Sequence, residues 1–506
     1  MRLVGNQNRH RVFFHSGTFV PCRQLRFFTD AVNGISFSKK GSLGLNKVGA
    51  DGASRENTRL TQVNKSRRPS PKRRIVVQLV GGVDRPFLVT VILLLCLGTV
   101  MVFSASYPYA NANFKGDSYH FAKRQILFAL AGLAVMAFVA RSKIFDYHFL
   151  RKIAFPTLAV SIVLLAGVLV FGKNLSGAKR WYAIGPITLQ PSEIVKFALV
   201  LFFADYADKH AADIRKRGET KALFTVVVPF LLIVGIAASM VFLFKNRFLG
   251  MIFAAIILLM AAAFLFMKDM KHNAPAFYYG ILPYMIVLVA VGALMYLQPH
   301  MSGLIIMAGI TFAMMFMGGT NLFYLVGGAG VGALGLFGLA MTKGHSSSRI
   351  LVWKDPFAYL LNGGWQPAQS LYAIGSGGFW GVGFGNSRQK HLYLPEPQND
   401  YIFSIWCEEM GFIGAMLVIC IFLFFIYRGI LIGLRAPDRF SSLLVIGIIM
   451  HVGLQMVLNI AVVTNSLPST GISLPFFSYG GTSLMILLAE MGVVLSVSRF
   501  SSVEKS

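Results

Sequence analysis

The sequence predicts an all-α polytopic membrane protein of about 10–12 transmembrane helices, with one long loop and a broken helix near the C-terminus. Three observations carry that prediction. Of the 506 residues, 55% are hydrophobic and 13% charged, whereas a soluble chain carries about 25% charged residues. Apolar runs of roughly 17 to 25 residues recur along the chain, the length needed to cross about 30 Å of hydrocarbon. Those runs are solid blocks, unlike the two-residue alternation over about ten residues that marks barrel strands.

The net charge of +27 is unevenly spread. Residues 1–75 hold 16 Lys and Arg against 3 Asp and Glu, and end in the basic run "NKSRRPSPKRRIVV". This composition favours a disordered arm facing anionic lipid headgroups, so residues 1–80 are assigned to a basic cytoplasmic tail. An organellar transit peptide or a misassigned start fits the same Arg-rich, acid-poor composition. No nucleic-acid partner is expected, because the tail has no folded reader. Cys22, Cys96, Cys407 and Cys420 show neither metal-ligand spacing nor a disulfide framework.

Residues 81–500 form the predicted membrane domain. Its spans are placed at 86–107, 124–141, 152–171, 192–207, 221–244, 248–267, 276–297, 301–318, 322–341, 401–427, 439–463 and 471–497. A basic tail puts the N-terminus in the cytoplasm. Alternate loops should then be basic, as "ARSKIFDYHFLRK", "DKHAADIRKRGETK", "KDMKHN" and "YRGILIGLRAPDR" are. Twelve spans return the C-terminus to the cytoplasm as well. Residues 342–400 become an outer loop, long enough to suggest function. Within it "AQSLYAIGSGGFWGVGFGN" is too short and glycine-rich to span and reads as a re-entrant or interfacial piece. Trp353, Trp365, Phe379 and Trp380 suit that interface.

Charge inside a membrane is costly and normally faces a cavity or a partner. Glu193 and Lys196 open the fourth span at i and i+3, so they share a helix face and are expected to pair. Such a pair serves either as a structural tie or as part of a polar cavity with Lys196 near an anion. Outer-side cations run against the positive-inside tendency: Lys123, Arg124, Lys179, Arg180, Lys343, Arg349, Lys354, Arg388 and Lys390. A phosphate or diphosphate headgroup accounts for them. In "TNSLPSTGISLPFFSYGGTSLM", prolines and glycines break the helix at membrane depth, as happens where backbone lines a cavity. Ser478 and Tyr479 there either bind substrate or satisfy freed backbone groups.

"FAKRQ", "GAKRWYAIGPITLQPSEIVKFA", "GNSRQKHLYLPEPQNDYIFSIWCEEMGFIGA" and "LPSTGISLPFFSYGGTS" resemble the SEDS family, which includes FtsW, RodA and SpoVE. The wording of the third motif is nearer to the FtsW/SpoVE branch, and the likeness runs from about Arg85 to Arg499. The resemblance implies a peptidoglycan glycosyltransferase that polymerises lipid II on the outer face of the bacterial cytoplasmic membrane, for cell division or sporulation. It implies ten spans, an outward-facing cavity and an essential Asp in the long outer loop. A class B penicillin-binding protein and other divisome proteins are the implied partners. Carried over by motif, the site residues are Asp355 as the catalytic carboxylate, with Arg124, Arg180, Trp181, Gln190, Glu193, Lys196, Arg349, Ser478, Tyr479 and Gly480 binding substrate.

Three departures accompany the likeness. Family members often have two Asp-Pro steps where "DPFAYLLNGGWQP" keeps the first and has Tyr359 at the second. Gln398 stands where His is usual, and His300 where Asp is frequent. Two spans, near 221–267, are additional to the family pattern.

One acid suffices for this chemistry. Glycosidases need two carboxylates because an alkoxide must be protonated to leave. A lipid diphosphate departs readily, leaving a base for the attacking sugar hydroxyl and cations for the leaving group. Magnesium or manganese would assist the diphosphate, although no ligand cluster demands a divalent ion. An Asp before Pro also starts turns, the plainer role for Asp355. Two other functions stay open: a flippase for lipid-linked precursors, and an inactive scaffold that positions a penicillin-binding protein.

Overall fold

In the computed structural model the described residues are 77–78, 82–142, 147–175, 178–185, 187–215, 275–322, 325–328, 330, 349, 351–500 and 502–503. The predicted tail apart from residues 77–78, the spans at 221–244 and 248–267 and most of the span at 322–341 lie outside them.

Helix α1 covers Arg85–Asn113, α2 His120–Arg141, α3 Tyr147–Phe171 and α4 Pro191–Lys209. After the undescribed stretch come α5 (Pro275–Gly280), α6 (Leu282–Leu297) and α7 (Met301–Gly318). The long loop contains α8 (Trp365–Gly377), and α9 (Ile402–Leu434), α10 (Arg439–Val463) and α11 (Gly481–Ser498) follow. Eight helical stretches, counting α5 and α6 as one, are long and apolar enough to cross a membrane among the described residues. Helix α4 is not one of the eight by composition, since it carries Glu193, Lys196, Asp205, Asp208 and Lys209.

Helix starts follow local chemistry. Asp84 caps α1 by accepting from the Phe87 N–H at 2.9 Å, and Asp438 and Ser441 form a capping box on α10. The connections alternate between two ends of the bundle. At one end, which we call the tie end, ion pairs fasten the helices. Asp84 Oδ2 meets Arg428 at 2.5 Å and Arg151 meets Asp205 and Asp208 at 3.2 and 2.8 Å. Arg499 donates to the Ala140 carbonyl at 2.9 Å.

The other, loop-rich end holds a small sheet that an all-α reading does not contain. Strands β2 (Lys173–Leu175), β3 (Ala178–Ile184) and β4 (Ile187–Leu189) form an antiparallel meander between α3 and α4, with Tyr182 opposite Leu189. "GAKRWYAIGPITL" favours it through alternating apolar residues around a Gly-Pro turn. A short pair of strands, β1 (Val77–Gln78) and β5 (Ser502–Val503), lies outside this sheet.

The predicted last span at 471–497 is corrected: the helix begins at Gly481. Pro468 and Pro475 lack backbone donors, Gly471 takes φ +67°, and Asn465 and Phe476 also have positive φ, so residues 464–480 cross this end as irregular chain. Freed backbone groups find partners, as where Asn459 Nδ2 donates to the carbonyls of Asp400 (2.7 Å) and Ile472 (2.6 Å).

The glycine-rich piece of the long loop begins with a helix too short to span a membrane. Thirteen-residue α8 is only about 20 Å long. It packs on α9 and α10, with Ser370 Oγ 2.7 Å from both Ser404 Oγ and the Val463 carbonyl. The chain then docks backbone to backbone against a break in α9. Gly411 there has φ +64°, and a Cβ on it would sit 2.3 Å from the Gly381 nitrogen. Val382 and Gly383 donate to the Glu408 and Glu409 carbonyls, and Phe412 donates back to Gly378, all at 3.0 Å. Only glycine permits that approach.

Candidate active site

The loop-rich end gathers most of the residues nominated from sequence. Arg180 projects from β3 to the turn between α6 and α7, where Nε donates to the Gln298 carbonyl at 3.3 Å and Nη2 to the Pro299 carbonyl. Arg349 reaches it from the far loop, anchored by donation to the Ser469 carbonyl at 3.3 Å. Burial and the like charge of Arg349 both push the Arg180 guanidinium below the ordinary arginine value. Neither arginine has a carboxylate within 4 Å among the described residues. Two guanidiniums near enough to repel each other, neither paired with a carboxylate among the described residues, make this end a candidate anion site.

Beside them lies His300, buried at the start of α7. Burial, then the charges of Arg180 and Lys196, push its imidazole down to about 3, so it is neutral at physiological pH. Lys196 is itself buried, and Nζ contacts Glu193 Oε2 at 2.7 Å. The pairing expected from the i, i+3 spacing is therefore present. Glu193, Ser478 and Tyr479 line a small polar cavity of about 40 Å³ together with His451, Gln455 and Glu490. His451 Nδ1 and Glu490 Oε2 face each other at 3.3 Å, both side chains buried. Sequence reasoning missed this pair, because each lies singly in an apolar run.

Ser478 Oγ accepts from the Leu474 N–H at 2.7 Å, so it satisfies freed backbone. Tyr479 donates its N–H to the Gln398 carbonyl at 2.8 Å and packs edge-on against Phe121 at 4.9 Å. Gly480 N–H approaches buried Gln125 Oε1 at 3.5 Å. Trp181 and Gln190 are half-buried in β3 and at the start of α4, and Arg124 is exposed on α2.

Asp355 is exposed, and its Oδ1 accepts from the Phe357 and Ala358 N–H groups at 3.1 Å each. Its turn is tied to the end of α10 by a reciprocal pair. Trp353 Nε1 donates to the Asn465 carbonyl at 3.0 Å, and Asn465 Nδ2 donates to the Trp353 carbonyl at 3.1 Å. Tyr359 is half-buried.

Among the outer-side cations, Lys390 is corrected. It is buried with Nζ 2.8 Å from Glu409 Oε1 and 2.6 Å from the Gly385 carbonyl, so it fastens the glycine-rich loop and is not offered to a headgroup. Lys123 pairs with Asp117 at 3.0 Å on the surface. Lys179, Lys354 and Arg388 are exposed, and Lys343 lies outside the described residues. No group of three His, Cys, Asp or Glu placed to hold a metal occurs among the described residues.

A family model described as "Cell cycle protein", FTSW_RODA_SPOVE, matches residues 85–259 and 251–503. Stage V sporulation protein E of Bacillus subtilis is 34% identical over 422 residues, covering 83% of this chain and 97% of that protein. A probable peptidoglycan glycosyltransferase FtsW of Trichlorobacter lovleyi is 34% identical over 417 residues, covering 82% and 93%. Among solved structures, a chain of a peptidoglycan synthase complex that coordinates polymerization and crosslinking matches with TM-score 0.58 at 24% identity, covering 82% of this chain and 98% of that one. The rod shape determining protein RodA of Thermus thermophilus matches with TM-score 0.53 at 23% identity, covering 82% and 97%.

Proposed function

The chain belongs to the FtsW/RodA/SpoVE family of cell cycle proteins, and on that premise we propose that it is a peptidoglycan glycosyltransferase acting on lipid II. The observation that carries the substrate class is the juxtaposition of Arg180 and Arg349 beside buried Lys196. A polyprenyl diphosphate carries the charge that such a cluster lacks. The two arginines meet the phosphates by forked hydrogen bonds, while Lys196, held by Glu193, adds a fixed positive charge.

The polymer grows by direct displacement with inversion. A sugar hydroxyl of one substrate attacks the anomeric carbon of another, and the diphosphate leaves onto the cations. A carboxylate takes the hydroxyl proton. Asp355 is the carboxylate that the family motif points to, and its Oδ1 caps a turn of the long loop. Magnesium or manganese, if carried in by the diphosphate, would add to the arginines' charge.

We assign the loop-rich end to the outer side of a bacterial cytoplasmic membrane, with both termini inside. A Leu361→Cys protein should then react with an impermeant maleimide in intact cells, since Leu361 is 98% exposed at that end; protection until lysis would reverse the orientation. The partner is a class B penicillin-binding protein, in the setting of division or sporulation.

Purified protein with its transpeptidase partner and labelled lipid II tests the activity. Polymer from wild type is the expected result, and Asp355→Ala, which removes the cap of its turn, should lower it without abolishing it. Equal polymer from both would show that the reaction does not need that cap. A second reading, an inactive scaffold, is favoured by Tyr359 at the second Asp-Pro position, and absence of polymer from wild type would support it.

A further inference from the structure

We infer that Asp400 is the carboxylate that receives the proton of the attacking sugar hydroxyl, an inference that rests on the glycosyltransferase reading. The position is built for an acid that acts. Asp400 stands at the end of the long loop, one residue before the N-cap of α9, and is partly buried. Its backbone is fixed by Asn459, which holds the Asp400 carbonyl at 2.7 Å. Among the described residues no side chain is shown donating a hydrogen bond to its carboxylate. Asp355, by contrast, already gives Oδ1 to two amides.

The side chain faces the irregular chain at Gly471. Gly471 lies opposite, where an added Cβ would be 3.4 Å from Oδ2, and its φ of +67° favours glycine. Thus no side chain covers that oxygen from this side. The charged and titratable groups that act on Asp400 are Glu396 and Tyr401 from its own segment and Arg349 from the far loop. Two residues before Asp400, the Gln398 carbonyl holds the Tyr479 backbone, so one short segment links the acid to the lining of the polar cavity. Burial, followed by the Glu396 charge, raises the Asp400 carboxyl to about 6. A base of that strength works near neutral pH and is stronger than an exposed carboxylate.

In the step, the hydroxyl oxygen bonds to the anomeric carbon and its proton passes to the Asp400 carboxylate. The bond from that carbon to the diphosphate oxygen breaks, its electron pair leaving with the diphosphate toward Arg349 and Arg180. Asp400 then releases the proton to water. This assignment supplies an acid where Tyr359 occupies the second Asp-Pro position.

The experiment uses the full-length protein with its transpeptidase partner and labelled lipid II, across pH 5 to 8. Asp400→Asn should lower polymerisation at least about 100-fold, while Asp400→Glu retains part of it. Wild type should lose rate below pH about 6. Glu396→Gln, which removes the like charge, should move that fall to lower pH. Polymer from Asp400→Asn within about threefold of wild type, or an acidic limb that Glu396→Gln leaves in place, overturns the inference alone. No polymer from wild type overturns the glycosyltransferase reading and this inference with it. If Asp400→Asn does not fold, the wild-type and Glu396→Gln profiles decide.

Discussion

Lys390 Nζ lies 2.8 Å from Glu409 Oε1, with both side chains buried. Ser104 Oγ from α1 donates to the same carboxylate at 2.8 Å, and Glu408 beside it accepts the Arg388 and Gln389 N–H groups at 3.0 and 3.3 Å. The two glutamates therefore hold the glycine-rich loop in the break of α9. Removing one partner of a buried pair strands the other charge, at about 3–5 kcal/mol. Lys390→Met should unfold at a markedly lower temperature in detergent, and Lys390→Met with Glu409→Met should recover much of the loss. A double variant no better than the single one would show that the loop, not the stranded charge, sets the cost.

How far this site was legible depends on what each residue's spacing reveals. The Glu193–Lys196 pair was readable because i, i+3 on one helix fixes proximity. The spans were readable because length and apolarity are local properties. Lys390–Glu409 was not, since 19 residues of irregular chain and helix separate the two, and only the Gly411 break brings them together. The same holds for Arg180 and Arg349, whose approach needs the sheet, the α6–α7 turn and the long loop at once. Asp400 was hidden inside "PEPQNDYIF", where nothing local distinguishes a proton acceptor from a helix-start acid.

The two arginines give a prediction about binding. A guanidinium hydrogen-bonded to a diphosphate is worth about 1.5–3 kcal/mol. Arg349→Ala should weaken lipid II binding roughly 10- to 100-fold, by the same principle, when titrated in detergent micelles. Arg180→Lys should also weaken it, because an ammonium cannot reproduce the fork. Unchanged affinity in both variants would leave the arginines as loop anchors.

Lys196 separates support from chemistry. Lys196→Met fills the same space and leaves Glu193 without its partner at the cavity wall. Polymerisation should be lost even where the protein still purifies and melts cooperatively. Adding Glu193→Gln removes the stranded charge and should restore stability without restoring polymer. Polymer returning with the double variant would mean that the pair is only a structural tie.

Asp400 ties stability to pH with a definite sign. Its carboxyl is raised from 3.8 to about 6, so the folded protein holds this proton more tightly than the unfolded chain. The stabilisation is complete below about pH 4 and is lost as pH rises through about 6. Each tenfold gain in proton affinity corresponds to about 1.4 kcal/mol, and solvent reaching the partly buried group screens the total to at most roughly 2 kcal/mol. Other groups titrate in the same window, so the measurement is a difference. The melting temperature of wild type should fall from pH 4.5 to 7.5 by more than that of Asp400→Asn, and at pH 7.5 the variant should be the more stable protein. An acid kept ionised at a cost to the fold is what a site for proton transfer requires. Equal pH dependence in the two proteins would mean that Asp400 is solvated like an ordinary surface acid, leaving Asp355 to take the proton.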